Sequence, residues 1–409
     1  SYTVSLLNPK VIRDLKLVEH GLRIAERPYS NFLPLNDTQF LKVGGGLAAT
    51  QAEVAKFSKR DAENLPAYYA MLDRVAAVFK DLLPNVGGSI ADILQAWKVG
   101  KRFKKLNMAA RRDVLDLFTK SAGDVLDSYF ESDPIKACFG FDSVVGNFAS
   151  PYTPGSAYVL LHHVFGEVNG KPGIWGHAIG GMGAITEAMA KEAIARGVEI
   201  SVDAPVSRVM IKNGRASGVV LQDGTEVESR LVVSNLNPKL LFQQLLQPAA
   251  VDVEFSQRIA AYKCGSGTFR MNVALSELPR FSCHPEPGLH HASGIIMAPT
   301  LHYMEQEYFD ARSFGWSKQP IVEILIPSVV DDSLAPKGQH VASLFCQHVS
   351  PTLPDGRSWD DHREEVADLM IATVTRFAPN FKASVIARQS HSPLDLERKF
   401  GLVGGDIFH

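Results

Sequence analysis

The chain has 409 residues, more than one hydrophobic core usually serves, so two lobes are expected. Its 45% hydrophobic and 21% charged content is ordinary for a globular protein, and a formal net charge of −2 supplies no overall field for nucleic acid. Four cysteines (Cys138, Cys264, Cys283, Cys346) stand too far apart for zinc-type spacing, and no apolar run reaches the length of a bilayer span.

The opening SYTVSLLNPK lacks the charged-then-apolar order of a signal peptide and has no initial methionine, and the chain stops after GLVGGDIFH. A piece of a longer protein is therefore expected. In the first forty residues Pro28, Pro34 and Asn36-Asp37 punctuate short strands. Gly44-Gly45-Gly46 lacks the spacing of a phosphate loop and is expected as a turn or bulge between strands. From Ser58 to about Asn147 the pattern is helical. Ser58 with Asp61 resembles a capping box, Leu72, Val75, Ala76 and Phe79 recur at helical spacing, and Asp133-Pro134 reads as an N-cap and first-turn proline.

Within that helical stretch, WKVGKRFKKLNMAARR (97–112) sets Lys98, Lys101, Arg102, Lys104, Lys105, Arg111 and Arg112 among Trp97, Phe103, Leu106 and Met108. A solvated helix face fits this pattern, and so does a patch for an anionic membrane surface. His162 and His163 would face different sides of a helix. Tyr158, one turn before His162, forms with it a pair that could border a cavity, the other reading of His162 being a hydrogen-bonded core residue.

The segment 180–238 is the most informative. Gly180-Gly181-Met182-Gly183 precedes a helix expected over 186–196 and ended by Gly197. Amides at such a start can face an anion, and packing explains the glycines equally well. Val198, Ile200 and Val202 alternate as a strand. A three-strand meander follows from Val206, turning at Asn213-Gly214 and Asp223-Gly224. Leu231-Val232-Val233 is expected as a strand buried on both faces, with Ser234-Asn235 at its carboxyl end, where ligands of open α/β sheets bind. The order suggests an α/β nucleotide-binding layer crossed by an antiparallel meander.

Further on, CHPEPGLHH gathers Cys283, His284, His290 and His291, but Pro285 and Pro287 interrupt regular ligand geometry, so a surface loop without metal is expected. IVEILIPSVV and HVASLFCQHV read as two strands around Pro336-Lys337-Gly338. Residues 363–377 read as an amphipathic helix with Val366, Leu369, Met370 and Val374 on one face. No G-x-S-x-G or local Ser-His-Asp set supports a hydrolase.

The motifs SPYTPGSAYVLLHHVFGE (150–167), GIWGHAIGGMGAITEAMA (173–190), DGTEVESRLVVSNLNP (223–238), IVEILIP (321–327), LAPKGQHVASLF (334–345) and DLERKFGLVGGDIFH (395–409) resemble phytoene-desaturase-like flavoproteins. The resemblance runs along the whole chain. It implies an α/β, two-lobed flavoprotein with FAD as cofactor. The FAD lobe, similar to those of glutathione reductase and amine oxidases, would comprise 171–245 and 394–409. A mixed-sheet and helical substrate lobe would comprise 6–170 and 246–393. Such relatives carry a Gly-rich FAD motif before the matching region and a closing segment after it, so the chain is expected to be truncated at both ends and to hold FAD poorly alone.

By the same resemblance, the backbone of Val206 would meet the adenine edge, with Gly180, Gly181, Ser234 and Asn235 near the cofactor. Met182, Gly183 and Ala184, together with Tyr158 and His162, would line the substrate pocket. Ala184 stands where some amine oxidases carry a polar side chain, which favours an apolar substrate. The implied activity is C–C desaturation or isomerisation of a polyene-like molecule. Amine oxidation and a non-catalytic interaction role are the alternatives. No catalytic acid or base is singled out, because a flavin carries the chemistry. Cytoplasm or mitochondrion is the expected setting, peripheral to a membrane if 97–112 meets lipid.

Overall fold

A computed structural model describes residues 3–79 and 90–408; the side chains of 90–96, His162 and His163 lie outside the described residues. Among the described residues the largest sheet has seven strands. In spatial order they are Val385–His391, Thr268–Leu275, His340–Val349, Trp316–Leu325, Gly294–Met297, Asn31–Pro34 and Phe40–Val43. All neighbours are antiparallel except Gly294–Met297 against Asn31–Pro34.

The period of two along these strands sorts the side chains onto two faces. Phe269, Met271 and Val273 join Leu344, Cys346, Val322 and Ile324 under Val366, Met370 and Val374 of the helix Trp359–Phe377. Burying side chains of this size is worth roughly 1.5–3 kcal/mol each, which makes this face the anchor of the sheet. On the opposite face Leu33, Ile296, Ile321 and Phe345 pack into a helical layer that includes Lys59–Phe79, Met108–Thr119 and Asp133–Val144. That face also carries Arg270, Asn272, Ser343, Glu323 and Gln347, an unusually polar set for an interior sheet surface.

Two helix starts in this layer share one carboxylate. Ser58 Oγ accepts the Asp61 amide at 3.1 Å, half of a capping box. Asp61 then accepts the amides of Glu131 and Ser132 at 2.8 Å each, so it caps the distant helix rather than its own. Ser132, not Asp133, is that helix's N-cap, and Pro134 sits in its first turn.

The strand Ile24–Glu26 pairs with Gly176–Ala178, and Val4, Leu17 and Leu22 pack with Ala178 and with Ala188 of the helix Gly183–Ala195. The meander is formed by Val206–Lys212, Arg215–Leu221 and Glu226–Glu228. Its first turn holds Asn213 at φ 52° and Gly214 at φ 72°, the pair of left-handed conformations that such a dipeptide accommodates.

Several expectations are corrected. Residues 198–202 and 231–233 are not strands, and Leu231 and Val233 are 73% and 86% exposed rather than buried on both faces. No described strand pairs with either run, so neither the alternation of 198–202 nor the apolar run 231–233 finds a ladder to join. Gly44-Gly45-Gly46 links a strand to the helix Leu47–Val54 instead of lying between strands. All three glycines have positive φ, and a Cβ at Gly44 would fall 2.5 Å from the Ser30 nitrogen. The histidine loop folds inward, leaving His290 and His291 buried against Phe32 and Phe281.

Candidate functional site

The strand Gly176–Ala178 runs into a turn in which Gly180 and Gly181 both adopt φ 85°, a conformation open to glycine and strained for other residues. The turn is tied to the loop after the Trp316–Leu325 strand. Gly180 N–H donates to Asp331 Oδ2 at 2.6 Å, while Ser333 donates to Oδ1 through its amide at 3.1 Å and its hydroxyl at 2.6 Å. Burial pushes the Asp331 carboxyl up, but the bonds from Ser333 and Gly180, helped by the charge of Arg23, outweigh it and hold the group below the ordinary aspartate range. Asp331 is thus an ionised pin between the glycine turn and the sheet.

Beside that pin lies a cavity of about 330 Å³. The turn contributes His177, Ala178, Gly181 and Met182. The loop contributes Pro327 and Leu334, and the sheet contributes Asn272, Val341, Ala342 and Ser343. Six of these side chains are apolar, and the polar ones are confined to His177, Asn272 and Ser343. On that same face of the sheet, Arg270 Nη2 donates to Ser343 Oγ at 2.9 Å, and Ser343 Oγ donates to Asn272 Oδ1 at 2.8 Å. The Arg270 guanidinium lies 5.2 Å from the centre of the Phe345 ring.

Of the residues singled out in the sequence, Gly181 and Met182 line this cavity and Gly180 anchors its rim. Gly183 and Ala184 open the helix behind the turn and are not part of the lining. Val206 begins the meander, paired with Leu221. Ser234 and Asn235 are exposed, with Ser234 Oγ accepting the Leu236 amide at 3.2 Å. Tyr158 is 52% exposed and stacks on Phe118 at 6.2 Å, away from the cavity lining. His162 opens the short helix His162–Phe165, and its side chain lies outside the described residues. Asn272, Ser343 and Asp331 were not singled out. The signal available for the first was polar residues at alternate positions of TFRMNVAL, which reads equally as a solvent face.

A second cluster, Glu307 with His348, is fully buried: both Nδ1 and the backbone amide of His348 meet the carboxylate, and Nε2 faces the Asn147 carbonyl at 3.1 Å. Burial raises the Glu307 carboxyl against the pull of His348. With every polar atom engaged, the pair joins the helix Leu301–Phe314 to the sheet. Among the described residues no group of three or more His, Cys, Asp or Glu is placed to hold a metal, and no helix is long and apolar enough to cross a membrane.

The comparison with known proteins decides the lineage of this architecture. Pyridine nucleotide-disulfide oxidoreductase domain-containing protein 2 of Rattus norvegicus is 37% identical over a 437-position alignment that covers all of this chain and 75% of the relative. The chain belongs to that family. Phytoene desaturase (lycopene-forming) of Pantoea ananas is similar at 24% identity, covering 88% of this chain and 67% of that protein. No family model matches. Among solved structures, an oxidoreductase from Methanosarcina mazei superposes with a TM-score of 0.58 at 16% identity, over 95% of this chain and 75% of its own. A putrescine oxidase variant superposes at 0.54 and 13% identity, over 96% and 73%. The fold is that of α/β flavoprotein oxidoreductases with a mixed-sheet and helical lobe, as the motifs implied.

Family membership implies a flavin, and the cavity can be tested against one. Its volume and largely apolar walls suit a flat ring system or a substrate of similar size. The glycine turn brings backbone to the rim without side chains, and a Cβ at Gly181 would come within 3.8 Å of Leu334. The lining contains no lysine or arginine to meet a pyrophosphate. The described residues therefore fit the ring end of such a cofactor at the rim of the cavity, through the backbone of Gly180 and Gly181, and not its phosphates, which leaves the space beside Met182 for a substrate.

Proposed function

We propose that the protein is an FAD-dependent oxidoreductase acting on a small, largely apolar molecule held against the glycine turn, with C–C desaturation or isomerisation as the reaction class. The observation that supports this is the cavity between the pinned Gly180-Gly181-Met182 turn and the sheet, apolar over most of its wall, in a chain of a flavoprotein family. A bound flavin supplies the hydride acceptor. The chain's own part is positional: Asp331 fixes the turn, Met182, Leu334 and Val341 exclude water, and the sheet wall orients the substrate. An amine substrate is less well served, because no carboxylate lines the cavity to meet an ammonium group. The similarity to phytoene desaturase points the same way.

The test is the visible absorption spectrum of the purified protein before and after anaerobic addition of apolar candidates. A flavin band that bleaches supports the reading. A protein that shows no flavin band after incubation with FAD contradicts it.

The surface around 97–112 is proposed as a contact for an anionic lipid surface. In the helix Met108–Thr119, Met108, Leu115 and Phe118 share one exposed side, with Met108 76% exposed, and Arg112 stands among them. Trp97, 59% exposed, lies under Lys101 Nζ at 3.4 Å. Lys98, Lys104 and Lys105 are exposed on the same preceding helix, so this stretch presents both apolar and cationic side chains to solvent.

A further inference from the structure

The polar side chains of the cavity form one directed chain of hydrogen bonds. Arg270 has only donors, so at 2.9 Å it must give a proton to Ser343 Oγ. The serine hydroxyl then gives its single proton to Asn272 Oδ1 at 2.8 Å. Each bond polarises the next, so the two together fix the amide with its oxygen towards Ser343. The Asn272 amide nitrogen keeps both its protons, no described residue accepts either of them, and Asn272 lines the cavity. Ser343 is buried and Asn272 is exposed to the cavity, so the donor stands at the end of a relay anchored in the sheet.

We propose that Asn272 is a specificity-determining residue that donates to an acceptor oxygen, the carbonyl or carboxylate of an otherwise apolar substrate. The inference rests on reading the cavity as the substrate site. Met182, Pro327, Leu334 and Val341 take the hydrocarbon body, and the oxygenated end lies against the sheet. An ammonium group is disfavoured, because its protons would face the amide's protons. A plain hydrocarbon would leave the amide without a partner when it covers the wall, and so binds more weakly than the ketone.

The experiment is calorimetric titration of the purified protein at neutral pH with three ten-carbon probes: 2-decanone, decanoate and decylamine. Wild type binds the ketone and the carboxylate at least tenfold more tightly than the amine. N272D, which replaces the donor by an anionic acceptor, inverts the order in favour of decylamine. S343A keeps Asn272 but releases its amide, and shrinks the tenfold preference with an unchanged circular dichroism spectrum. Equal or tighter binding of decylamine by wild type overturns the proposal, as does an order unaffected by N272D and S343A, or a failure of all three probes to bind. The titration does not depend on redox chemistry. A protein that shows the order and its inversion but never carries a flavin sinks only the oxidoreductase reading. A flavin-bearing protein without the order sinks only this one.

Discussion

Gly180 and Asp331 are 151 residues apart in sequence, yet the glycine amide donates to the aspartate carboxylate at 2.6 Å. That bond joins the turn that forms one cavity wall to the loop beside the other wall. The cavity therefore depends on a charge-assisted contact, about twice as strong as a neutral one, and not on the turn sequence alone.

Removing the pin should be costly. D331A leaves the Gly180 amide and both Ser333 donors without their acceptor, and should lose about 2–3 kcal/mol in urea unfolding. D331N should lose less, since one acceptor oxygen remains. The carboxyl is held below its ordinary value of about 3.9, so its contribution is complete above that pH and is lost as pH falls through the lower folded value. D331N should flatten this acid limb. Identical acid unfolding of wild type and D331N would count against the pin.

His290 gives the opposite case. It is 2% exposed, and neither ring nitrogen has a hydrogen-bond partner among the described residues. Burial, then the neighbouring His291 and His284, push it down to about 3. Between its ordinary value of about 6.5 and that lower value the unfolded chain binds the proton and the folded chain does not, so stability is lost as pH falls below about 6.5. H290L should match or exceed wild-type stability at neutral pH and show a shallower loss at pH 5. H291L should be destabilised, because His291 Nε2 bonds the Pro279 carbonyl at 2.8 Å. A large loss in H290L at neutral pH would show that its nitrogens have work to do.

For the 97–112 surface, cosedimentation with phosphatidylserine vesicles should be strong at low salt and weaken as salt screens the cations. The triple variant K101E, K104E and K105E should lose it, and L115S with F118S should reduce it without the same salt dependence. Equal binding to phosphatidylcholine vesicles, or none to either kind, would rule out an electrostatic lipid contact.

What could be read from the sequence follows from how local each signal is. The meander was legible because Asn213-Gly214 and Asp223-Gly224 set their own turn geometry and the strands pair with immediate neighbours. The helix Trp359–Phe377 was legible from its apolar stripe, and the family from long motifs. Residues 198–202 and 231–233 misled because alternation in the first and a continuous apolar run in the second state a preference for a strand without supplying the neighbour that makes one. His290 misled because flanking prolines suggest a surface loop, whereas Phe32 and Phe281, brought in from elsewhere in the chain, bury it. The cavity's polar wall was the least legible. Arg270, Asn272 and Ser343 come together only through strand register, across 71 residues between the last two. Of the pocket residues named from the family motifs, Met182 lines the cavity because it sits on the turn itself. Tyr158 belongs to another surface.

The central claim is that the space beside Met182 is the substrate site of a flavin enzyme. The direct measurement is a difference absorption titration of the flavin-bearing protein with 2-decanone, in wild type and in M182W, where an indole fills the cavity. The account predicts that the ligand perturbs the flavin band in wild type, and that M182W keeps its flavin but loses the perturbation. A perturbation of the same size and affinity in M182W would place the substrate elsewhere and contradict the account.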